Sequence, residues 1–379
     1  MKNNAPRYGL NTKDNQINAR QLCFFVAFFL PLGKLLELPS LLTSYAGGDL
    51  LIAALVGCLT EFLSFAAILF FCKKVRLSPF EYLERKWGKL ALAIVQVLFS
   101  LFLLIFATLP LFDLEKFSHA AFSDTSPTFF VFTPFFILSG FLCAKSLKGI
   151  GRVADLSPLL VLVPILGLLG MSVGQADFSR LLPIIEKPFS ASLKAFWKTT
   201  AYFSSGGILL PLVSGYHYTD GDEKKLLPAF GGGVLITLLF LATFFSVFGL
   251  LGTKEHFAVM KIAQFFPALK FIGRIDLLLI YSLSIGLFYY TAIPLQLFTE
   301  SITHAFSFKS KLPTAVLLSV GLYFCLLFGN KYTTLIHTFF AKWLAPVFLF
   351  FSFVFPLLLL ILSTKTQGQV RNESHSKQR

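Results

Sequence analysis

Apolar runs as long as a lipid bilayer is thick govern what this chain can become. A helix rises about 1.5 Å per residue, so about 20 consecutive apolar residues cross the roughly 30 Å hydrocarbon layer. From Leu50 to Cys72 the only charge is Glu61, and comparable runs recur along the whole chain. They show neither the alternation nor the 3.6-residue spacing of half-buried elements. Charged residues make up 14% of the sequence and apolar residues 55%, with 47 Phe, whereas soluble domains carry about 25% charged residues. A soluble enzyme, a disordered chain and a secreted disulfide scaffold are excluded. So is an outer-membrane barrel, whose strands are short and alternating. The chain reads as an all-α polytopic membrane protein.

Ten spans are expected, roughly at 20–45, 49–72, 90–112, 128–146, 156–174, 195–217, 226–251, 274–299, 312–329 and 339–362. The formal net charge of +14 comes without a basic stripe interleaved with aromatics, so no nucleic-acid partner is expected. The cations lie instead in the short segments between spans. Alternate segments, starting with the N-terminal tail, hold 21 of the 33 Lys+Arg; the opposite segments hold 11, and Lys34 lies within the first span. This bias predicts both termini in the cytoplasm. Residues 1–19 are expected to form a cytoplasmic tail and 363–379 a disordered one. No cleavable signal peptide is visible, so the first helix is expected to direct insertion.

Between spans two and three, Leu77, Phe80, Leu83, Trp87 and Leu90 recur at helical spacing among charges, which predicts an amphipathic helix on the bilayer surface. The five cysteines fall in or beside apolar runs without CxxC spacing and read as packing residues. Gly231–Gly233 has neither a GxGxxG frame nor a following Gly-Lys and reads as a close-packing site. The six histidines are scattered, with no HExxH, G-x-S-x-G or Walker pattern. No enzyme activity, cofactor or metal is expected.

Polar or helix-breaking residues inside apolar spans carry the remaining information. In the first span, Pro31 removes a backbone donor and Gly33 weakens the helix, so unwinding is predicted there. Lys34 and Glu37, three apart, are close enough on a helix to pair. The sixth span carries Ser204-Ser205-Gly206-Gly207, with Pro211 four residues on. These two interruptions lie about half a chain apart, as a five-plus-five inverted repeat requires, with repeat one about 20–174 and repeat two about 195–362. Broken helices in such a repeat expose free N–H and C=O groups that hold a solute at mid-membrane. Glu61 has two readings: a structural ion pair with Lys34, or a role in ligand or proton linkage. Gln96 with Ser100, and Ser282 with Tyr289, share helix faces in spans three and eight. They are either interhelical hydrogen bonds or ligand contacts. Asp113, Glu115, Asp276 and Glu300 lie near span ends, where solvation at the interface is expected.

Four stretches extend this reading. They are Gln21 with Leu32-Gly33, Glu37-Leu38-Pro39 and Tyr45-Ala46-Gly47-Gly48-Asp49; Lys148 through Asp155; Asp177 with Leu182-Pro183 ahead of the broken sixth span; and Gly273-Arg274-Ile275-Asp276. In these the chain resembles the B subunit of the spore nutrient-germinant receptors, a permease-like family of the amino acid–polyamine–organocation superfamily. The resemblance implies a ten-helix fold of the LeuT type with broken helices 1 and 6, in the inner membrane of a bacterial endospore. It also implies partners: a small nutrient, typically an amino acid, a larger membrane A subunit and a lipoprotein C subunit. A proton- or ion-coupled amino-acid transporter of the same superfamily is the alternative. The candidate ligand-binding residues are Pro31, Gly33, Lys34, Gln96, Ser100, Ser204, Ser205, Gly206, Gly207 and Tyr289. Lys34, Glu37 and Glu61 are the candidates for a charge pair or ion linkage. Two departures from the family pattern stand out: Lys34 at the first break, and no acidic residue in Gly207-Ile208-Leu209. A cation there favours an anionic ligand group or stands in for a coupling ion.

Overall fold

The computed structural model describes residues 17–122, 128–183, 185–216, 218–264, 275–329 and 332–363. Among them there is no strand, only an isolated parallel bridge between Ile17 and Tyr216. The helices, in chain order, are α1 (Ala19–Leu32), α2 (Leu38–Ala46), α3 (Leu50–Val75), α4 (Pro79–Phe122) and α5 (Thr128–Ala144). They continue with α6 (Lys148–Gln175), α7 (Phe189–Thr199), α8 (Gly206–Ser214), α9 (Glu223–Phe248) and α10 (Ala258–Gln264). The last four are α11 (Ile275–Ala305), α12 (Leu312–Gly329), α13 (Thr333–Phe339) and α14 (Lys342–Ser363). Helical segments occupy all ten expected intervals, and seven are long and apolar enough to cross a membrane. The first and sixth intervals are the interrupted ones: α1 and α2 are separate helices, as are α7 and α8.

Lipid tails are as apolar as Leu, so helices in a bilayer cohere by close packing and buried hydrogen bonds more than by water exclusion. The abundant Phe supplies that packing. Phe99 meets Phe351 and Phe355 edge-on, each at 5.0 Å between ring centroids, and Phe102 stacks on Phe351 at 5.2 Å. Gly233 lets α9 approach α1 so closely that a Cβ there would lie 2.8 Å from the Val26 carbonyl oxygen, whereas Gly231 and Gly232 face open space. Only one of the three glycines serves close packing.

Ion pairs fasten the face that carries the start of α1, called the near face below. Arg20 meets Asp155 at 3.0 Å, Lys73 meets Glu223 at 2.6 Å and Arg76 meets Asp220 at 2.8 Å. The expected surface helix is present as the start of α4, cut from the membrane span by Gly88 at φ +84°. Its apolar residues divide, however. Phe80 and Leu83 are buried within the protein, while Trp87 and Leu90 remain exposed. α4 also runs past the expected end of the third span, which draws Asp113 and Glu115 into the interior. The expectation of interfacial solvation is corrected for both, and for buried Glu300. Tyr202 donates to Asp113 at 3.2 Å, His119 lies 3.5 Å from Glu115, and Lys311 pairs with Glu300. The side chain of Asp276 and the tail beyond Ser363 lie outside the described residues, as do residues 1–16 of the N-terminal tail.

Candidate functional site

The first break spans residues 33–37. Pro31 contributes no N–H, and the chain leaves α1 through tight turns, Lys34 N–H to Pro31 O at 2.8 Å and Leu35 N–H to Leu32 O at 3.1 Å. Pro39 then stands in the first turn of α2, where a missing N–H costs nothing. The freed Leu36 carbonyl accepts from Ala258 N–H at 3.2 Å. The second break follows a 3₁₀ turn, Thr200–Phe203, and comprises Ser204 and Ser205 before α8 begins at Gly206.

Glu61, from the middle of α3, joins the two breaks. One carboxylate oxygen holds the Lys34 ammonium, and the two side chains are 0% and 5% exposed. The other oxygen accepts the Ser205 N–H at 3.2 Å, a donor that the interruption of the helix has released. Lys34 Nζ also lies 5.5 Å from the centre of the Phe203 ring. From α14, Ser352 donates to Ser204 O at 2.8 Å and its own carbonyl accepts from Ser64. Ser352 sits in a π-helical turn, Phe350–Val354, a local widening common at functional sites. The Ser205 hydroxyl, at the centre of this arrangement, is buried and makes no hydrogen bond among the described residues.

Glycines bring the surrounding helices into contact. A Cβ on Gly33 would lie 2.3 Å from the Tyr290 ring, one on Gly57 2.5 Å from Phe203, one on Gly206 2.1 Å from the Ser352 carbonyl oxygen, and one on Gly207 2.2 Å from Phe102. Tyr290 and Phe203 therefore fill the space that the breaks open. Seven of the expected residues gather here with Glu61: Pro31, Gly33, Lys34, Ser204, Ser205, Gly206 and Gly207. Four others lie elsewhere. Glu37 does not pair with Lys34, because residues 33–37 are not helical; its carboxylate instead meets His256 Nδ1 at 3.1 Å. Gln96 faces His304 near the end of α11, at 3.3 Å. Ser100 donates to the Gln96 carbonyl on its own helix at 2.7 Å. Tyr289 packs on Phe288, while its neighbour Tyr290 reaches the break.

On the far face a cavity of about 540 Å³ opens between α2, α7 and the start of α14, lined by Tyr45, Trp197, Lys198, Tyr202, Phe340 and Lys342 among others. Among the described residues its lining holds two lysines and no acid. The ammonium of Lys198 stands 4.4 Å over the Tyr45 ring. Tyr202 closes the cavity on the side of the second break, three residues before Ser205. Beside it, in the far-face segment, the Glu37 carboxylate draws the His256 imidazole above its ordinary range by the hydrogen bond between them.

Residues 16–334 match the spore germination protein family, which is most of the sequence and includes both breaks. The chain belongs to that family. It is 25% identical over 317 residues to spore germination protein KB of Bacillus subtilis (strain 168), covering 81% of this chain and 83% of that protein. Among solved structures it is similar to Mhp1, a nucleobase-cation-symport-1 family transporter in a closed conformation with bromovinylhydantoin bound. The two share 13% identity over 86% of this chain and 78% of that one, at a TM-score of 0.38.

Outside the first break, several residues of the stretches that carry the family resemblance form joints between elements. Gln21 Nε2 donates to Asp155 at 2.8 Å, and Gly151 makes room for Gln21, because a Cβ there would lie 2.4 Å from its amide oxygen. Asp49, 1% exposed, accepts the N–H groups of Glu186 and Lys187 at 2.7 Å each and so ties the far-face loop before α7 to the end of α2. Gly47, at φ +66°, lets the chain turn there. Asp177 N–H donates to Ser246 O at 3.1 Å, and the hydrogen bond from the Ser179 hydroxyl holds the Asp177 carboxyl below its usual range. Gly273 and Arg274, from the fourth stretch, lie outside the described residues.

Proposed function

We propose that this protein is a nutrient-germinant receptor subunit of the bacterial endospore inner membrane, with both termini in the cytoplasm. It binds a small nutrient, an amino acid, between the two helix breaks and signals through a larger membrane subunit and a lipoprotein. The observation that carries this reading is the buried Ser205 hydroxyl, left without a partner among the described residues beside the Lys34–Glu61–Ser205 junction. A buried polar group without a hydrogen bond costs about 1–3 kcal/mol, and a solute acceptor placed there would recover it. The Lys34 ammonium is paired with Glu61, so a solute carboxylate at the breaks would have to share or take that ammonium. The far-face cavity, with Lys198 and Lys342, supplies a cationic approach. Tyr290 and Phe203 occupy the space between the breaks, so a solute that enters must displace them. The resulting difference in affinity between two packings is what a receptor requires in order to transmit anything.

The test compares wild type with Ser205→Ala. Since the hydroxyl makes no bond, the variant is expected to melt at the wild-type temperature in detergent. The thermal shift that an amino-acid screen yields with wild type should vanish, as should the germination response of spores carrying the variant. Unchanged nutrient shifts and germination in Ser205→Ala would overturn the site. Net uptake of the labelled amino acid by proteoliposomes of this chain alone would replace signalling with transport at the same site.

A further inference from the structure

Gln96, absent from the helix breaks, belongs to a different cavity. On the near face, a cavity of about 430 Å³ opens between the start of α4, the end of α11 and the loop that follows, with Lys89, Gln96, Glu300, Thr303, Lys309 and Lys311 in its lining. That volume is within the range of small-molecule pockets, about 300–1,000 Å³. No residue of the Lys34–Glu61–Ser205 junction takes part in it.

Cations outnumber acids in the lining, Lys89, Lys309 and Lys311 against Glu84 and Glu300. The Lys311 ammonium already neutralises Glu300. Lys89 and Lys309 have no ion-pair partner among the described residues, and Glu84 is the one other acid in the wall. The Thr303 hydroxyl is buried, in a residue 8% exposed, and makes no hydrogen bond among the described residues. Behind it Gln96, 1% exposed, holds the His304 ring at 3.3 Å, which fixes this wall. Two ammonium groups without an ion-pair partner among the described residues are set against the one Glu84 carboxylate, and the Thr303 hydroxyl is an unused donor. The concavity is left with an excess of positive charge and donors, which suits a ligand that only accepts.

We propose that this near-face cavity is a second binding site, for a small oxyanion carrying phosphate or carboxylate groups. Lys89 and Lys309 provide charge and the Thr303 hydroxyl donates a hydrogen bond. The site stands whether or not a nutrient binds at the helix breaks. Its position also gives it a route to them. Thr303 and Tyr290 lie on α11, thirteen residues apart, about 20 Å at the helical rise. A ligand that shifts the end of α11 moves the side chain that packs against Gly33.

The phosphate oxyanion has two sources, a soluble solute or the headgroup of a near-leaflet lipid, and the experiment separates them. The full chain, in neutral detergent and in phosphatidylcholine nanodiscs, is titrated with inorganic phosphate and with citrate at constant ionic strength, using isothermal calorimetry. Saturable binding of at least one of them is expected. Lys309→Ala, on an exposed loop, and Thr303→Val should each weaken it about tenfold, the worth of one charge-assisted hydrogen bond. Lys198→Ala in the far-face cavity should leave it unchanged. Nanodiscs containing phosphatidylglycerol that weaken phosphate binding in wild type but not in Lys309→Ala would identify the lipid headgroup as the occupant; unaltered binding would identify a soluble ion. Absence of saturable binding in wild type, or equal affinity in wild type and both near-face variants, would overturn the proposal.

Discussion

Glu61→Gln tests the junction between the two breaks most directly. The variant keeps the size of the side chain and an oxygen for the Ser205 N–H, but removes the countercharge of Lys34, which is 4% exposed within the bilayer span. Breaking one side of a buried pair costs about 3–5 kcal/mol, whereas removing both charges is often close to neutral. An uncompensated cation at mid-membrane costs about 3 kcal/mol on insertion scales, which agrees. At about 2 °C per kcal/mol for a chain of this size, Glu61→Gln should melt about 6–10 °C below wild type in detergent. Lys34→Met combined with Glu61→Gln should recover most of that loss. The double variant, folded but without its cation, should give no thermal shift with any amino acid. Intrinsic fluorescence during heating reads both quantities. A single variant that melts within about 2 °C of wild type, or a double variant less stable than the single, would refute the account of Lys34 and Glu61 as one buried unit.

Other expectations are equally direct. Gly33→Ala places a Cβ 2.3 Å from the Tyr290 ring and should cost about 1–3 kcal/mol as overpacking. Tyr290→Leu in the same chain should restore the melting temperature. Gly231→Ala meets nothing within 4 Å and should be neutral or stabilising by up to about 1 kcal/mol, from helix propensity alone. Asp49→Ala removes the acceptor of two N–H bonds at 2.7 Å, each worth about 1.5–3 kcal/mol. It should therefore expose residues 182–188 to limited proteolysis. The His256 imidazole is held above its ordinary value of 6.5 mainly by the hydrogen bond with Glu37, with its partial burial and Lys116 opposing and Glu255 assisting. Its stabilisation is complete below pH about 6.5 and fades as pH rises through the raised value. A melting-temperature profile across that window should flatten in His256→Gln.

The membrane class, the helical intervals and both interruptions were legible because each rests on local chemistry. Long apolar runs admit one solution in lipid, and Pro31, Gly33 and the Ser204–Gly207 run weaken a helix wherever they stand. What escaped was set by contacts between distant segments. Lys34 has a carboxylate three residues away on its own strand of sequence, yet the break turns Glu37 toward His256 and brings Glu61 in from α3. Tyr289 and Tyr290 are adjacent in a span apolar on every side, so no periodicity tells which of them faces the first break. Ser352 and Ser64 carry no signal beyond being small and polar. Gln96 stands out as a polar residue inside an apolar span, but its companion His304 lies 208 residues away. Of the stretches that carry the resemblance, Gly33 stands at the first break, while Gln21, Asp49, Gly151, Asp155 and Asp177 hold joints at the two faces.

The fastening of the first break to the far-face loop has a reach beyond the bilayer. Because Leu36 and Glu37 are bonded to Ala258 and His256, α2 cannot swing without tugging the far-face segment before α10. A rearrangement at the first break would thus reach the far face, where a fluorophore on residue 256 could record it.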